Sequence, residues 1–189
     1  MTRISGLVLL VALLLTACGR QAPAPVPDPA PEAGPRAVAS TAPHAFDATA
    51  QAWVELVVAT DDQAVKLMDM GSQKAADPDL KAFAAGHATA RRAETKALKE
   101  ILTANDVTYA NYHSGHDMPG MPTEAELVAL WEAPDFDVEF TRLARAHLTE
   151  SETVARSGAT SITHPAAKAA ADAMVEDRAA SLRALDALA

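Results

Sequence analysis

Between residues 109 and 121 the chain reads Tyr109-Ala110-Asn111-Tyr112-His113-Ser114-Gly115-His116-Asp117-Met118-Pro119-Gly120-Met121. Two of its six His and two of its six Met fall within nine residues there. Imidazole suits copper, zinc and nickel, and the soft thioether of Met selects for Cu(I). Gly115, Pro119 and Gly120 let such a segment fold back, so His113, His116, Met118 and Met121 are expected to converge as metal ligands. A polar connector whose Met side chains plug the end of a helical bundle accounts for the same composition, because Met is a routine gap-filler.

Two further histidines sit on helical patterns. His147 lies on an apolar stripe between Leu143 and Ser151, where a hydrogen-bonded core imidazole is the ordinary role and ligation the sharper one. His87 stands seven residues before Glu94, two turns away on one face, and the pair is read as a ligand set or a salt bridge. Asp61 and Asp62 follow Val57 by about one turn, so one of them points inward. A carboxylate there needs a partner, which makes Asp61 the notable one and leaves Asp62 in solvent. His164, at an element end, is read as a cap.

Other chemistry is excluded. The single Cys18 rules out zinc ribbons, iron–sulfur clusters and paired-cysteine redox motifs. No Glu-x-x-His occurs, so a di-iron carboxylate centre lacks its ligands. There is no G-x-S-x-G, phosphate loop or His-Glu-x-x-His, and the expectation is that the protein is not an enzyme. With a formal charge of −9 and no basic run, no nucleic-acid partner is expected.

The elements that must position these residues are helical. Ala, Leu and Val dominate the apolar share while aromatics make up only 4%. A single offset of 87 residues places Trp53 on Phe140, Leu56 on Leu143, Gly71 on Gly158, Pro78 on Pro165, Arg91 on Arg178 and Leu98 on Leu185. Gly, Pro, Arg and aromatic matches in one register indicate a duplicated helix pair, with repeats at about 47–104 and 134–189. Trp53, Leu56, Val57, Ala64, Leu67 and Met68 line the first helix, which Gly71 is expected to end. Asp77 then Pro78 open the second, lined by Leu80, Phe83, Ala84, His87, Leu98, Ile101 and Leu102. In the second copy the stripes are Phe136, Phe140, Leu143, His147, Val154 and then Ala170, Met174, Leu182, Leu185, Leu188. Thr123 with Glu126 forms a capping box for a short helix whose Leu127, Leu130 and Trp131 are expected to close one end. The sum is an all-α, ferritin-like four-helix bundle over residues 44–189, with one long crossover.

The N-terminus reads as an address. Arg3 precedes an apolar stretch from Ile4 to Leu15, too short for a bilayer span of roughly 20 residues, and Leu15-Thr16-Ala17-Cys18 matches a lipobox. Residues 1–17 are thus expected to be a cleaved signal peptide and Cys18 a lipidated anchor. Residues 18–43 form a Pro/Ala-rich tether holding seven of the twelve prolines.

Together these features resemble the domain-of-unknown-function 305 (DUF305) family. Val57-Val58-Ala59-Thr60-Asp61-Asp62-Gln63-Ala64-Val65 resembles the family's Met-Ile-Pro-His-His-x-x-Ala-Val segment, and Phe136-Asp137-x-x-Phe140 through His147-Leu148 resembles its second copy. His116-Asp117-Met118-Pro119-Gly120-Met121 followed by Thr123-Glu124-Ala125-Glu126-Leu127 resembles its connector. The resemblance implies a ferritin-like bundle in the bacterial envelope, often lipid-anchored, with copper binding in some members. Of the four family histidines only His147 remains, Thr60, Asp61 and Leu148 standing at the others, which implies a degraded core site. A fainter similarity of Ala75–Phe83 to the domain of unknown function 4142 does not extend to the second copy or the connector.

Two readings follow. One is an extracytoplasmic, membrane-anchored lipoprotein that binds or buffers copper through His113, His116, Met118 and Met121, with His147 or His87 assisting. The other is a helical bundle without metal that presents an acidic face to an envelope protein partner.

Overall fold

The computed structural model describes residues 45–188. The expected signal peptide, the Cys18 anchor, the tether and His44 lie outside the described residues. The described part contains five helices and is all-α: α1 (Ala48–Lys74), α2 (Pro78–Ala104), α3 (Glu124–Glu132), α4 (Phe136–Ser161) and α5 (Pro165–Asp186). Among the described residues, no helix is long and apolar enough to cross a membrane.

Each helix starts where local chemistry supplies a cap. Asp77 accepts from the amides of Asp79 and Leu80, with Pro78 just inside α2. Thr123 and Glu126 make a reciprocal capping box on α3. His164 caps α5 by accepting from Ala167 N, again with a proline just inside. Asp137 reaches out of the first turn of α4 to accept from Ala76 N and Asp77 N at 2.8–3.1 Å, so the second repeat fixes the α1–α2 turn of the first.

Short turns make α1–α2 and α4–α5 antiparallel hairpins, and the hairpins pack α1 on α4 and α2 on α5. The 87-residue offset has a direct counterpart in this packing. A Cβ at Gly71 would stand 2.4 Å from the Phe140 ring, and a Cβ at Gly158 2.4 Å from the Trp53 indole. Moving Gly71 forward by 87 and Phe140 back by 87 gives Gly158 and Trp53, so the hairpins interlock reciprocally, each glycine receiving the opposite repeat's aromatic ring. Gly71 therefore does not end α1, which runs on to Lys74: it is a notch for Phe140.

The core has three layers along the bundle axis. One end is apolar, around Leu67, Met68, Leu80, Leu130, Phe140 and Leu185. The other is apolar around Val54, Val57, Leu98, Leu102, Ala171 and Met174. Between them every long helix contributes buried polar residues: Asp61 from α1, Arg91 and Thr95 from α2, His147 and Ser151 from α4, Arg178 and Ser181 from α5.

One expected core position is corrected by this packing: Leu188 is 37% exposed, while Ala170 and Leu182 are partly buried against the core beside Ala167, Ala171, Met174, Arg178, Ser181 and Leu185. Leu127 and Leu130 close one end as expected, but Trp131 is 46% exposed and lies under the Lys74 ammonium on the outer surface.

Candidate functional site

The polar layer is an ionic network centred on Arg178, which is fully buried. Its Nε donates to Ser151 Oγ at 2.7 Å, its Nη2 to Asp61 Oδ1 at 3.2 Å and Glu94 Oε1 at 2.5 Å, and its Nη1 to Glu94 Oε2 at 3.2 Å and Asp177 Oδ2 at 2.9 Å. Arg91 donates to Glu94 Oε1 at 3.2 Å and Asp177 Oδ2 at 2.6 Å. Two guanidinium groups thus face three carboxylates. Burial raises Asp61, and burial followed by the charge of Asp61 pushes Glu94 up to about 9. One proton held by this pair makes the cluster neutral, which is what a dry interior demands.

His147 lies beside this layer, buried, its Nδ1 3.2 Å from Gly120 O. A carbonyl oxygen only accepts, so Nδ1 carries the proton and Nε2 keeps its lone pair. That Nε2 is buried without a hydrogen-bond partner. Burial lowers the pKa of His147 and keeps the ring neutral, the form that ligates metals.

The connector crosses the α1–α4 face at this level. Gln63 donates to Pro122 O at 2.9 Å and to Glu124 Oε1, which Lys66 also binds. Gly120, at φ +69°, lies so close to α4 that a Cβ would meet Glu150 Cβ at 2.4 Å and Ala146 O at 2.9 Å. Gly115 adopts a left-handed conformation as well, so the two glycines make the reversals expected of them.

The four connector candidates do not form one cluster. His113, His116 and Met121, with Asp117, line a hollow of about 520 Å³ floored by Ala59, Gln63 and Lys66. Met118 does not line that hollow; it lines a cavity of about 250 Å³ with His147, Leu56 and Thr60, and shares a third hollow, of about 600 Å³, with Met121 and Asp117. Among the described residues, no three His, Cys, Asp or Glu side chains stand together as a metal cage.

His87 joins neither group. It packs against Phe83 at 4.2 Å between ring centroids, and burial lowers its pKa to about 4. The expected His87–Glu94 pair is replaced by Glu94 with Arg91 and Arg178, because guanidinium groups bring more donors to the same carboxylate. Asp61 is buried with Arg178 as its partner, whereas Asp62 is partly exposed and pairs with Lys99 at 3.3 Å. Sequence reasoning used Arg91 and Arg178 only as repeat markers. Their signal was present in the spacings Ala84–Arg91–Leu98 and Ala171–Arg178–Leu185, each a charge at an apolar register position.

The family model for a domain of unknown function, DUF305, matches residues 51–189. Several solved structures share the fold. A DUF305 fragment from Deinococcus radiodurans superposes with a TM-score of 0.67 at 15% identity, covering 75% of this chain and 95% of that one. A DUF305 protein from Streptomyces coelicolor gives 0.68 at 20%, covering 76% and 93%. CopM in its Cu(II)-bound form gives 0.65 at 24%, covering 74% and 94%, and its Cu(I)-bound form gives 0.64 at 22% with the same coverage. At these identities the likeness is one of fold. No curated protein matches the sequence.

Proposed function

The chain belongs to the DUF305 family, and from that premise we propose that it binds copper as cargo, through the His/Met connector, as a lipid-anchored protein of the cell envelope. The observation that carries the reading is the hollow lined jointly by His113, His116 and Met121. Two imidazoles and a thioether on one connecting segment suit Cu(I), which accepts low coordination numbers and soft donors. Met118 with the bare Nε2 of His147 offers a second soft pair on the inner side of the same connector. Binding of this kind needs no catalytic step. The fold shared with copper-bound CopM supports the reading, and the N-terminal lipobox supports the compartment.

Anaerobic Cu(I) titration against a competing chelator tests it on residues 44–189, a span that excludes the Cys18 thiol. The parent is expected to bind tightly, and a variant with His113, His116, Met118 and Met121 all changed to Ala to lose that binding. Comparing His113→Ala/His116→Ala/Met121→Ala with Met118→Ala/His147→Ala separates the outer set from the inner pair. Equal, weak uptake by parent and fourfold variant overturns the proposal. That result favours an interaction bundle without metal, a reading supported by Arg178, whose guanidinium already supplies a cation at the bundle centre.

A further inference from the structure

Helical bundles of ferritin-like architecture build their metal centres from inward carboxylates and imidazoles on facing helices. The same level of this bundle holds Asp61 on α1, Glu94 on α2, His147 on α4 and Asp177 on α5. What lies among the carboxylates is the Arg178 guanidinium, fully buried and hydrogen-bonded to residues of all four long helices. We infer that Arg178 is a covalently attached cation standing where such a bundle would hold a metal ion, so that the core takes no metal and any metal the protein binds is held elsewhere.

Three observations carry this. First, the guanidinium engages its acceptors as a metal engages ligands: Asp61 and Glu94 from different helices converge on one nitrogen, Nη2, at 3.2 and 2.5 Å. Second, the acids are not a product of the duplication. The 87-residue offset carries Arg91 onto Arg178, but Asp61 onto Leu148, Glu94 onto Ser181 and Asp177 onto Ala90. One half therefore has carboxylates matched to a cation, which symmetry alone does not supply. Third, Asp61 Oδ2 and His147 Nε2 are both buried without hydrogen-bond partners. They are polar atoms left over after the guanidinium has used its donors, the positions from which a metal ion would be held if the guanidinium and the retained proton were gone.

The prediction is that truncating the arginine uncovers a metal site. In the full chain carrying Cys18→Ser and the four connector Ala substitutions, Zn(II) titration against a chromophoric chelator is expected to show no tight site. Adding Arg178→Met, which keeps bulk and removes charge, is expected to raise uptake to about one equivalent per chain, since carboxylates with one imidazole are a competent Zn(II) donor set. Asp61→Asn on top of that change is expected to abolish the new uptake. Arg178→Lys retains a cation and is expected to take up none.

Zinc uptake by the chain with Arg178 intact, removed by Asp61→Asn or His147→Ala, overturns the inference, as does a folded Arg178→Met chain that takes up none. Where Arg178→Met unfolds alone, Zn(II) is expected to restore its helical circular dichroism, and failure to do so overturns the inference equally. These outcomes are independent of copper at the connector, because His113, His116, Met118 and Met121 are absent throughout the experiment and His147 alone does not make a site.

Discussion

Replacing Gly71, Gly158 and Gly86 by Ala one at a time separates a glycine needed for space from one that merely weakens a helix. All three lie inside helices, where Ala is favoured over Gly by about 1 kcal/mol. At Gly86 a Cβ meets nothing within 4 Å, so Gly86→Ala is expected to stabilise by about 0.5–1 kcal/mol. At Gly71 the new methyl would lie 2.4 and 2.5 Å from Phe140 ring carbons and 2.9 Å from Ala84 Cβ. Carbon contacts are comfortable at about 3.5–4.0 Å, so the ring must retreat by about 1 Å. Phe140 is completely buried, so that movement strains its neighbours, at a cost of about 1–3 kcal/mol. After the propensity gain, Gly71→Ala is expected to destabilise by up to about 2 kcal/mol. Gly158→Ala is expected to cost about 1 kcal/mol more, because it also displaces the Trp53 indole from its 2.9 Å bond to Val154 O. Urea unfolding followed by far-ultraviolet circular dichroism measures each change from the midpoint at constant slope. Pairing Gly71→Ala with Phe140→Leu should cost less than the sum of the two, because the shorter side chain vacates the notch. If Gly71→Ala and Gly158→Ala both stabilise as Gly86→Ala does, the reciprocal interlock is wrong.

The ionic layer predicts a pH dependence whose sign is opposite to that of ordinary paired carboxylates. Glu94 is raised to about 9 in the fold, so between its ordinary value and 9 the folded state binds the extra proton and stability falls as pH rises. The lowered histidines, His87 and His147, act the other way but only below about pH 6.5, which leaves pH 7–9 as the clean window. Unfolding free energy there is expected to drop by up to about 1.4 kcal/mol per pH unit, and Glu94→Gln to flatten the slope; an unchanged slope in that variant refutes the assignment. Asp137→Ala should destabilise by about 1.5–3 kcal/mol and speed hydrogen exchange at Ala76 and Asp77, whose amides lose a charged acceptor. Arg178→Ala should cost about 3–5 kcal/mol, against less than about 1 kcal/mol for Arg92→Ala at the exposed pair with Asp69, and similar losses for the two would show that burial does not set the value of these pairs.

How far the sequence revealed this molecule depended on the range over which each residue acts. Asp77, the Thr123–Glu126 box and His164 were legible because a cap is decided within four residues of its helix. Gly71 was visible as a repeat marker but misread as a helix end, since only a ring 69 positions away reveals that it makes room. Asp61 was legible as a buried acid in need of a partner, but the partner, Arg178, is 117 residues distant. Its identity was hidden because a charge on an apolar stripe reads as an interruption unless the facing acid is known. The connector's donor types were plain from composition, whereas which of them share a hollow is set by the path of the backbone.

The two polar systems sit at one level of the bundle and differ in how their charge is balanced. In the interior, two arginines and three acids compensate one another with a retained proton, leaving little net field to draw an incoming cation inward. On the outside, the connector presents imidazole and thioether, neutral donors that give up little hydration when they take a soft ion and do not require a pre-existing charge. His147 touches both systems, its protonated Nδ1 on the connector carbonyl and its free Nε2 buried near the network. A metal bound by Met118 and His147 would therefore sit next to a layer already neutral without it. On the proposed copper-binding reading, occupancy of the connector can change while the Arg178 network keeps the four helices joined.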